Sequence, residues 1–176
     1  MHRYNASAET YEGLYAQEQQ AKYGKALENL QVEGGAVLDA GCGSGLFFPE
    51  VADHAETVVG VDVSRMLLLK AKSQAKRFGN VHVVQADVDH LPFKGGCFSV
   101  VFSFTVLQNM PSPTETIREF KRVACGDGVL VVTALKKAFG LTAFLDLFEA
   151  AGLRLESFLD DDGLKCYVVV AALGLV

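Results

Sequence analysis

No stretch of this sequence is both long and apolar enough to cross a bilayer. The longest apolar run, Tyr167–Leu173, falls far short of the roughly 20 residues that a spanning helix needs. The opening Met1-His2-Arg3-Tyr4-Asn5 leads into polar sequence, which predicts no secretory signal and a soluble, cytoplasmic protein without membrane association. Positive charge is in short supply as well: 16 Lys and Arg stand against 21 Asp and Glu, for a net charge of −5. Nucleic-acid modules usually carry a basic face, so strong non-specific nucleic-acid binding is not expected. Cysteine is sparse and scattered. Cys42, Cys97, Cys125 and Cys166 form no CxxC pair, and His2, His54, His82 and His90 show no metal-ligand spacing, so no metal site is predicted. Reduced thiols suit a chain without a secretion signal. Proline occurs 4 times, and with 50% apolar and 21% charged residues the composition excludes a disordered or fibrous chain.

What is present is one domain's worth of chain, 176 residues. After residue 35, short β-branched runs alternate with helical patterns. The strand-like runs are Ala36–Asp39, Thr57–Val61, Val81–Gln85, Phe98–Ser103 and Val129–Thr133, with helices at Ser64–Phe78 and Pro113–Val123 between them. Continuous apolar strands alternating with helices predict a parallel sheet covered on both faces. Right-handed crossovers make it a doubly wound α/β fold. A helix at Leu141–Ala151, with Gly152 as its stop, precedes strands Leu153–Leu159 and Lys165–Ala171. The Asp160-Asp161-Asp162-Gly163 link is too short for a parallel crossover, so these last two strands should be antiparallel.

The first 34 residues stand outside this alternation. Tyr4, Tyr11 and Tyr15 share one helical face, while Tyr23, Ala26, Leu27 and Leu30 lie on a face rotated from it. The offset predicts a break near Ala16–Gln20 and two helical pieces. Residues 1–34 are read as an N-terminal helical lid on a core of residues 35–176, with Tyr11 and Tyr15 against a ligand. Packing of the tyrosine stripe on the core is the alternative.

Chemistry concentrates in Val37-Leu38-Asp39-Ala40-Gly41-Cys42-Gly43-Ser44-Gly45. A buried strand runs into three alternate glycines and then a helix. Glycines there permit a tight turn and close backbone approach to a ligand, and the helix start offers N–H groups to an anion. The dinucleotide fingerprint G-x-G-x-x-G would need glycine where Leu46 stands. Asp39 would repel a pyrophosphate but accept hydrogen bonds from an ammonium group. Both features favour a cofactor with an amino-acid end, such as S-adenosylmethionine, over a dinucleotide. Asp62 ends the next strand, 21 residues after Gly41, placed to accept ribose hydroxyls. Its structural alternative is a cap on the helix from Ser64. At the third strand end, Asp87 can accept from an adenine amino group, with the Val88 N–H reaching a ring nitrogen. Asp89 and His90 read as solvated loop residues.

These motifs resemble the class I S-adenosylmethionine-dependent methyltransferases, particularly their small single-domain members of the type 11 kind. The resemblance rests on VLDAGCGSG, VVGVDVS, QADVDHLPF, CFSVVFSFTVLQNM and EFKRVACGDGVLVVT, in that order, across nearly all of residues 35–173. Gly126-Asp127-Gly128 stands where the family commonly turns through two glycines. The resemblance implies a Rossmann-like seven-stranded sheet of order 3-2-1-4-5-7-6 with strand 7 antiparallel. It implies S-adenosylmethionine as cofactor and S-adenosylhomocysteine as product. Asp39, Gly41, Cys42 and Gly43 would surround the methionine end. Asp62 would hold the ribose, with Val63 and Met66 beside the adenine and Asp87 and Val88 at its edge. Ser103 and Phe104 would lie near the sulfonium. Pro49, early in the first core helix, requires that helix to start late.

The methyl acceptor is less legible. No [DN]PPY signature and no Pro-Cys dipeptide occurs. Gln108 and Asn109 stand where many relatives have two histidines, and amides orient a substrate without serving as a base near pH 7. Thr105, Gln108, Asn109, Thr133, Lys136 and Lys137 are the acceptor-side candidates at the strand ends. Lys70, Lys72, Lys76 and Arg77 read as solvated surface. The acceptor is a small molecule, or a tRNA or protein held with an activating partner subunit. A cofactor-binding regulatory or scaffold subunit without transfer is the alternative, and an NAD-dependent oxidoreductase a more distant one.

Overall fold

The computed structural model describes residues 8–28, 30 and 32–173, with side chains from residue 17 onward. Seven strands form one sheet: β1 (Ala36–Ala40), β2 (Thr57–Asp62), β3 (Val81–Gln85), β4 (Phe98–Phe104), β5 (Ala124–Leu135), β6 (Leu153–Leu159) and β7 (Cys166–Leu173). Their order is β3-β2-β1-β4-β5-β7-β6. β1 to β5 are parallel, and β7 runs antiparallel to β5 and to β6. This is the order the resemblance implies, and the terminal hairpin is the one the short Asp160–Gly163 link demands.

Side chains alternate across each strand, so the sheet carries a core on each face. Val37, Phe102 and Val131 point into one, with Phe47, Phe48 and Tyr23. Leu38, Val101 and Leu130 point into the other, with Phe120, Phe144 and Phe148. β1 is buried on both sides, which is why it reads as an unbroken apolar run apart from Asp39. The chain moves outward from β1 to β3, then returns to β4 beside β1. Ligands of open α/β sheets bind outside the strand ends at that reversal.

The helices are α1 (Ala8–Leu27), α2 (Phe48–Val51), α3 (Arg65–Ala75), α4 (Pro113–Val123) and α5 (Leu141–Ala150). The expected break near Ala16–Gln20 is absent: α1 is one continuous helix. It presents Gln19, Lys22, Tyr23 and Ala26 as a single buried stripe, the spacing of one helical face. Two polar residues complete a stripe that apolar residues alone leave short. Tyr4 lies outside the described residues, and so do the side chains of Tyr11 and Tyr15. Pro49 is accommodated because α2 is a single turn with the proline in its first positions, where no N–H is missed. Ser64 caps α3, its Oγ accepting from Leu67 N at 3.4 Å. Gly152 ends α5 with φ +65°.

The Gly126-Asp127-Gly128 turn is also corrected. α4 passes directly into β5, and these residues are part of that strand. Pairing to β4 jumps from Phe98–Ala124 to Val100–Val129, so the glycines form a bulge inside the strand. No helix among the described residues is long and apolar enough to cross a membrane.

Candidate active site

Three recesses meet around the segment that leaves β4, Phe104–Asn109. The first is a cavity of about 500 Å³, whose lining includes Gly43, Asp62, Val63, Asp87, Val88 and Phe104. Its floor is the glycine loop. Gly41 N and Cys42 N both donate to Val61 O, at 2.8 and 2.9 Å, tying the loop to the end of β2. Gly41 has φ +87°, and a Cβ there would come within 2.3 Å of Val106. Gly43 has φ +55° and nothing within 4 Å of where its Cβ would point. The loop is held closed at one glycine and open towards a ligand at the next.

Asp62 braces the backbone on both sides of it, and its ribose role remains an expectation. Oδ2 accepts from Gly43 N at 2.9 Å, and Oδ1 from Ser64 N at 2.8 Å. Each carboxylate oxygen has a second lone pair, and the side chain lines the cavity. Asp87 is exposed on the same wall, its Oδ1 accepting from Asp89 N at 3.0 Å. Asp89, expected to be solvated, is half-buried, lines the cavity and accepts from Thr116 Oγ1 at 2.5 Å. Met66 does not reach the cavity. It stands 72% exposed, and Leu67 lines the wall instead, because α3 turns Met66 outward. Ser103 lines none of these recesses either, being sealed inside the sheet with its Oγ unpartnered.

The second recess is small, about 40 Å³, and lies between the loop and α1, against Gln19, Tyr23, Asp39, Gly43 and Phe104. Asp39 is only 2% exposed, and its Oδ2 has no partner among the described residues. Burial, and secondarily the charge of Asp62, pushes its carboxyl up to about 8. Gln19 Oε1 is likewise buried without a partner. Cys42 is buried beside them, and burial raises its thiol far above the ordinary range. Tyr23 packs edge-on against Phe104 with ring centroids 4.7 Å apart, which fixes this part of α1 to β4.

The third recess is the largest of the three, about 670 Å³, lined by residues from α1, the Thr105–Asn109 segment, the end of β5 with the two lysines after it, and Lys165 just before β7. It meets the first cavity at Thr105 and Asn109, which line both. Thr105 is the one non-glycine residue with positive φ among the described residues, at +56°. Its N–H donates to Thr133 O and Oγ1, at 3.1 and 2.9 Å. Thr133 is thus a buried clasp for this segment rather than a lining residue. Gln108 Nε2 donates to Thr105 O, while its Oε1 is buried and has no partner among the described residues.

Among the described residues, four lysines and one acid, Glu18, line this third cavity. Lys136 is committed elsewhere: its Nζ lies 2.5 Å from Asp160 Oδ1 and 2.8 Å from Asp161 O. Lys137 is exposed on the wall. Lys22, only 2% exposed, and Lys165 bind the two oxygens of one carboxylate, Glu18, at 3.1 and 2.8 Å. Those two ammonium groups hold Glu18 below the usual carboxylate range against its partial burial. Gln19, Lys22, Glu18 and Lys165 escape sequence reading. They lie up to 147 residues apart, and the one available signal is polar residues at helical spacing with Tyr23 and Ala26.

A family described as a methyltransferase domain matches residues 38–132, more than half of the chain. The match spans the glycine loop and the ends of β1 to β4. The chain belongs to this methyltransferase-domain family. An uncharacterized chloroplastic methyltransferase of Arabidopsis thaliana is 33% identical over 144 residues, covering 77% of this chain and 41% of that protein. A tRNA U34 carboxymethyltransferase of Photorhabdus laumondii is 30% identical over 119 residues, covering 65% of this chain and 36% of that one. The chain therefore spans about two fifths of the length of these relatives. Among solved structures, a SAM-dependent methyltransferase of Aquifex aeolicus shares the fold, with a TM-score of 0.77 at 18% identity over 90% of this chain and 98% of that one.

Membership of the methyltransferase-domain family implies S-adenosylmethionine as cofactor, and the residues present fit it. A buried, unpartnered carboxylate oxygen on Asp39 suits an ammonium group, since an unpaired buried acceptor is costly until a donor arrives. Open space above Gly43 suits close approach of a ligand. A cavity of about 500 Å³ bordered by two acids at successive strand ends suits a nucleoside, within the range of small-molecule sites.

Proposed function

We propose that the chain transfers a methyl group from S-adenosylmethionine to an acceptor seated in the third cavity. The observation that carries this reading is Asp39, a buried acid with an unsatisfied oxygen beside an open glycine loop. Asp39 with Gly41, Cys42 and Gly43 holds the amino-acid end. Asp62 holds the ribose, Asp87 and Val88 the adenine edge, with Val63 beside the ring. S-adenosylmethionine, when bound, supplies a methyl group made electrophilic by its positively charged sulfur. The chain's own part is to orient the acceptor and exclude water. Phe104 and the Thr105–Asn109 segment form the partition between the two cavities, and Gln108 Oε1 accepts from the acceptor's donor group. Glu18 is occupied by two lysines and the amides take no proton near pH 7. Among the described residues no free base faces the acceptor, which suits a nucleophile that needs little basic help.

The N-terminal part of α1 acts in this reading as the lid, anchored by Tyr23. Amide exchange over residues 8–20 should slow when S-adenosylhomocysteine is added, and exchange indifferent to the ligand refutes the lid. The main test is calorimetry with S-adenosylmethionine, followed by a labelled-methyl screen over small-molecule, tRNA and protein fractions. Binding with transfer into a defined fraction is the expected result. No binding removes the reading. The lack of an available base among the described residues of the third cavity favours one second reading, a cofactor-binding regulatory subunit, which predicts binding with no transfer into any fraction, even with a partner subunit present.

A further inference from the structure

We infer that Gln19, on α1, is a second acceptor for the cofactor's ammonium group, so that one side of the amino-acid subsite comes from the N-terminal helix. This rests on the reading above that S-adenosylmethionine occupies the site. The second recess carries it. Its lining includes Asp39 from β1 and Gln19 from α1. The two residues are almost wholly buried, at 2% and 3% exposed, and each has a buried oxygen, Asp39 Oδ2 and Gln19 Oε1, with no partner among the described residues.

Two orphaned acceptors bordering one small space are costly for the fold alone. A group that donates to both at once removes the two penalties together. A primary ammonium group does so, having three N–H donors and no acceptor. A hydroxyl has one proton to give and serves one oxygen only. The recess holds about 40 Å³, room for a group the size of a water molecule and too little for a ring. A trapped water, with two donors, is the competing occupant.

The chemistry of the two acceptors also fits a cation. Burial and the charge of Asp62 already push the Asp39 carboxyl up to about 8. A further carboxylate from α1 would add to that repulsion, whereas an amide oxygen adds an acceptor without a charge. Tyr23, one helical turn after Gln19 and on the same face, packs against Phe47 and Phe104 with ring centroids 4.9 and 4.7 Å apart. That contact fixes the rotation of α1 and sets Gln19 against the recess. Gln20, next in sequence, is exposed and donates to Glu50 Oε1 at 3.2 Å instead.

The test is calorimetry on the full chain with two ligands, S-adenosylhomocysteine and its analogue in which hydrogen replaces the amino group. The wild type should bind the amine at least tenfold more tightly. Gln19→Leu should weaken S-adenosylhomocysteine at least fivefold, through the loss of one hydrogen bond, and change the affinity of the desamino analogue less than twofold. Preserved binding of the analogue shows that the variant's site is folded. Gln20→Ala should leave both affinities unchanged. Equal weakening of both ligands makes Gln19 a packing residue of α1, and undiminished S-adenosylhomocysteine affinity assigns its amide oxygen to trapped water. Either result overturns the inference and leaves the cofactor reading standing. A wild-type protein that binds both ligands alike overturns the inference together with the role of Asp39. One that binds neither overturns the cofactor reading and the inference with it.

Discussion

The two large cavities that meet at Thr105 are built by opposite means. The first is made of backbone and acids drawn from consecutive strand ends: the glycine loop, Asp62, Asp87, Val88. The third is made of long side chains drawn from opposite ends of the chain, with Glu18 and Lys22 on α1 meeting Lys165 before β7. A backbone-built site is dictated by the fold's turn chemistry and keeps its shape when surface residues change. A side-chain-built site can be recast by a few substitutions without disturbing the sheet. Under the proposed reading the first takes the cofactor and the third the acceptor, so substitutions can address them separately.

Breaking the first cavity should have the largest effect. In Asp62→Ala, the Gly43 and Ser64 N–H groups lose their acceptor along with any ligand hydroxyls. Hydrogen bonds to charged groups are worth about 1.5–3 kcal/mol each, so S-adenosylmethionine affinity should fall about a hundredfold or more and the melting temperature should drop. Unchanged affinity would remove Asp62 from the site.

Asp39→Asn comes next and has a pH signature. The folded carboxyl keeps its proton up to about 8, whereas an unfolded aspartate releases it near pH 3.9. Between those values the folded state binds more protons, so its stability declines as pH rises. The asparagine variant lacks that slope. Without ligand it should melt higher than the wild type at pH 8 and alike near pH 4, measured by thermal unfolding across that range. Its S-adenosylmethionine affinity should fall at least tenfold near pH 8. A wild-type protein whose melting temperature climbs from pH 5 to pH 8 through Asp39 contradicts the assignment.

Gly43→Ala probes the open floor. Left-handed backbone costs a non-glycine residue about 1–2 kcal/mol, and the new methyl group stands where a ligand would lie. Cofactor affinity should fall about tenfold while circular dichroism stays unchanged. The smallest effect is expected at the third cavity. Gln19→Leu removes an unpartnered buried oxygen and should raise stability by about 1 kcal/mol in chemical denaturation, while weakening whatever binds there. A destabilised Gln19→Leu protein would mean that the amide already has its partner.

The same contrast explains what the sequence makes legible. Gly41, Gly43, Asp62 and Asp87 could be located because each sits at a fixed offset from a strand end, and strands announce themselves by apolar runs. The terminal hairpin followed from loop length alone. The continuity of α1 was hidden because Gln19 and Lys22 occupy buried positions that apolar periodicity counts as exposed. The Gly126–Gly128 bulge was hidden because glycine marks a turn and a strand bulge alike. Thr133 was misjudged for a simpler reason. Its place at a strand end is visible, but whether its hydroxyl meets ligand or holds the neighbouring Thr105 N–H depends on a register no local pattern encodes.

Thr105, held in left-handed backbone by Thr133 and shared by both walls, has a consequence for how the occupants communicate. A partition this constrained cannot yield to one ligand without altering the surface offered to the other. Whatever factor an occupant of the first cavity imposes on affinity in the third must be returned undiminished in the opposite direction, by thermodynamic reciprocity. Titrating the two sites in either order would then close the same cycle. The size of that single factor reports how far one threonine makes two binding events into one.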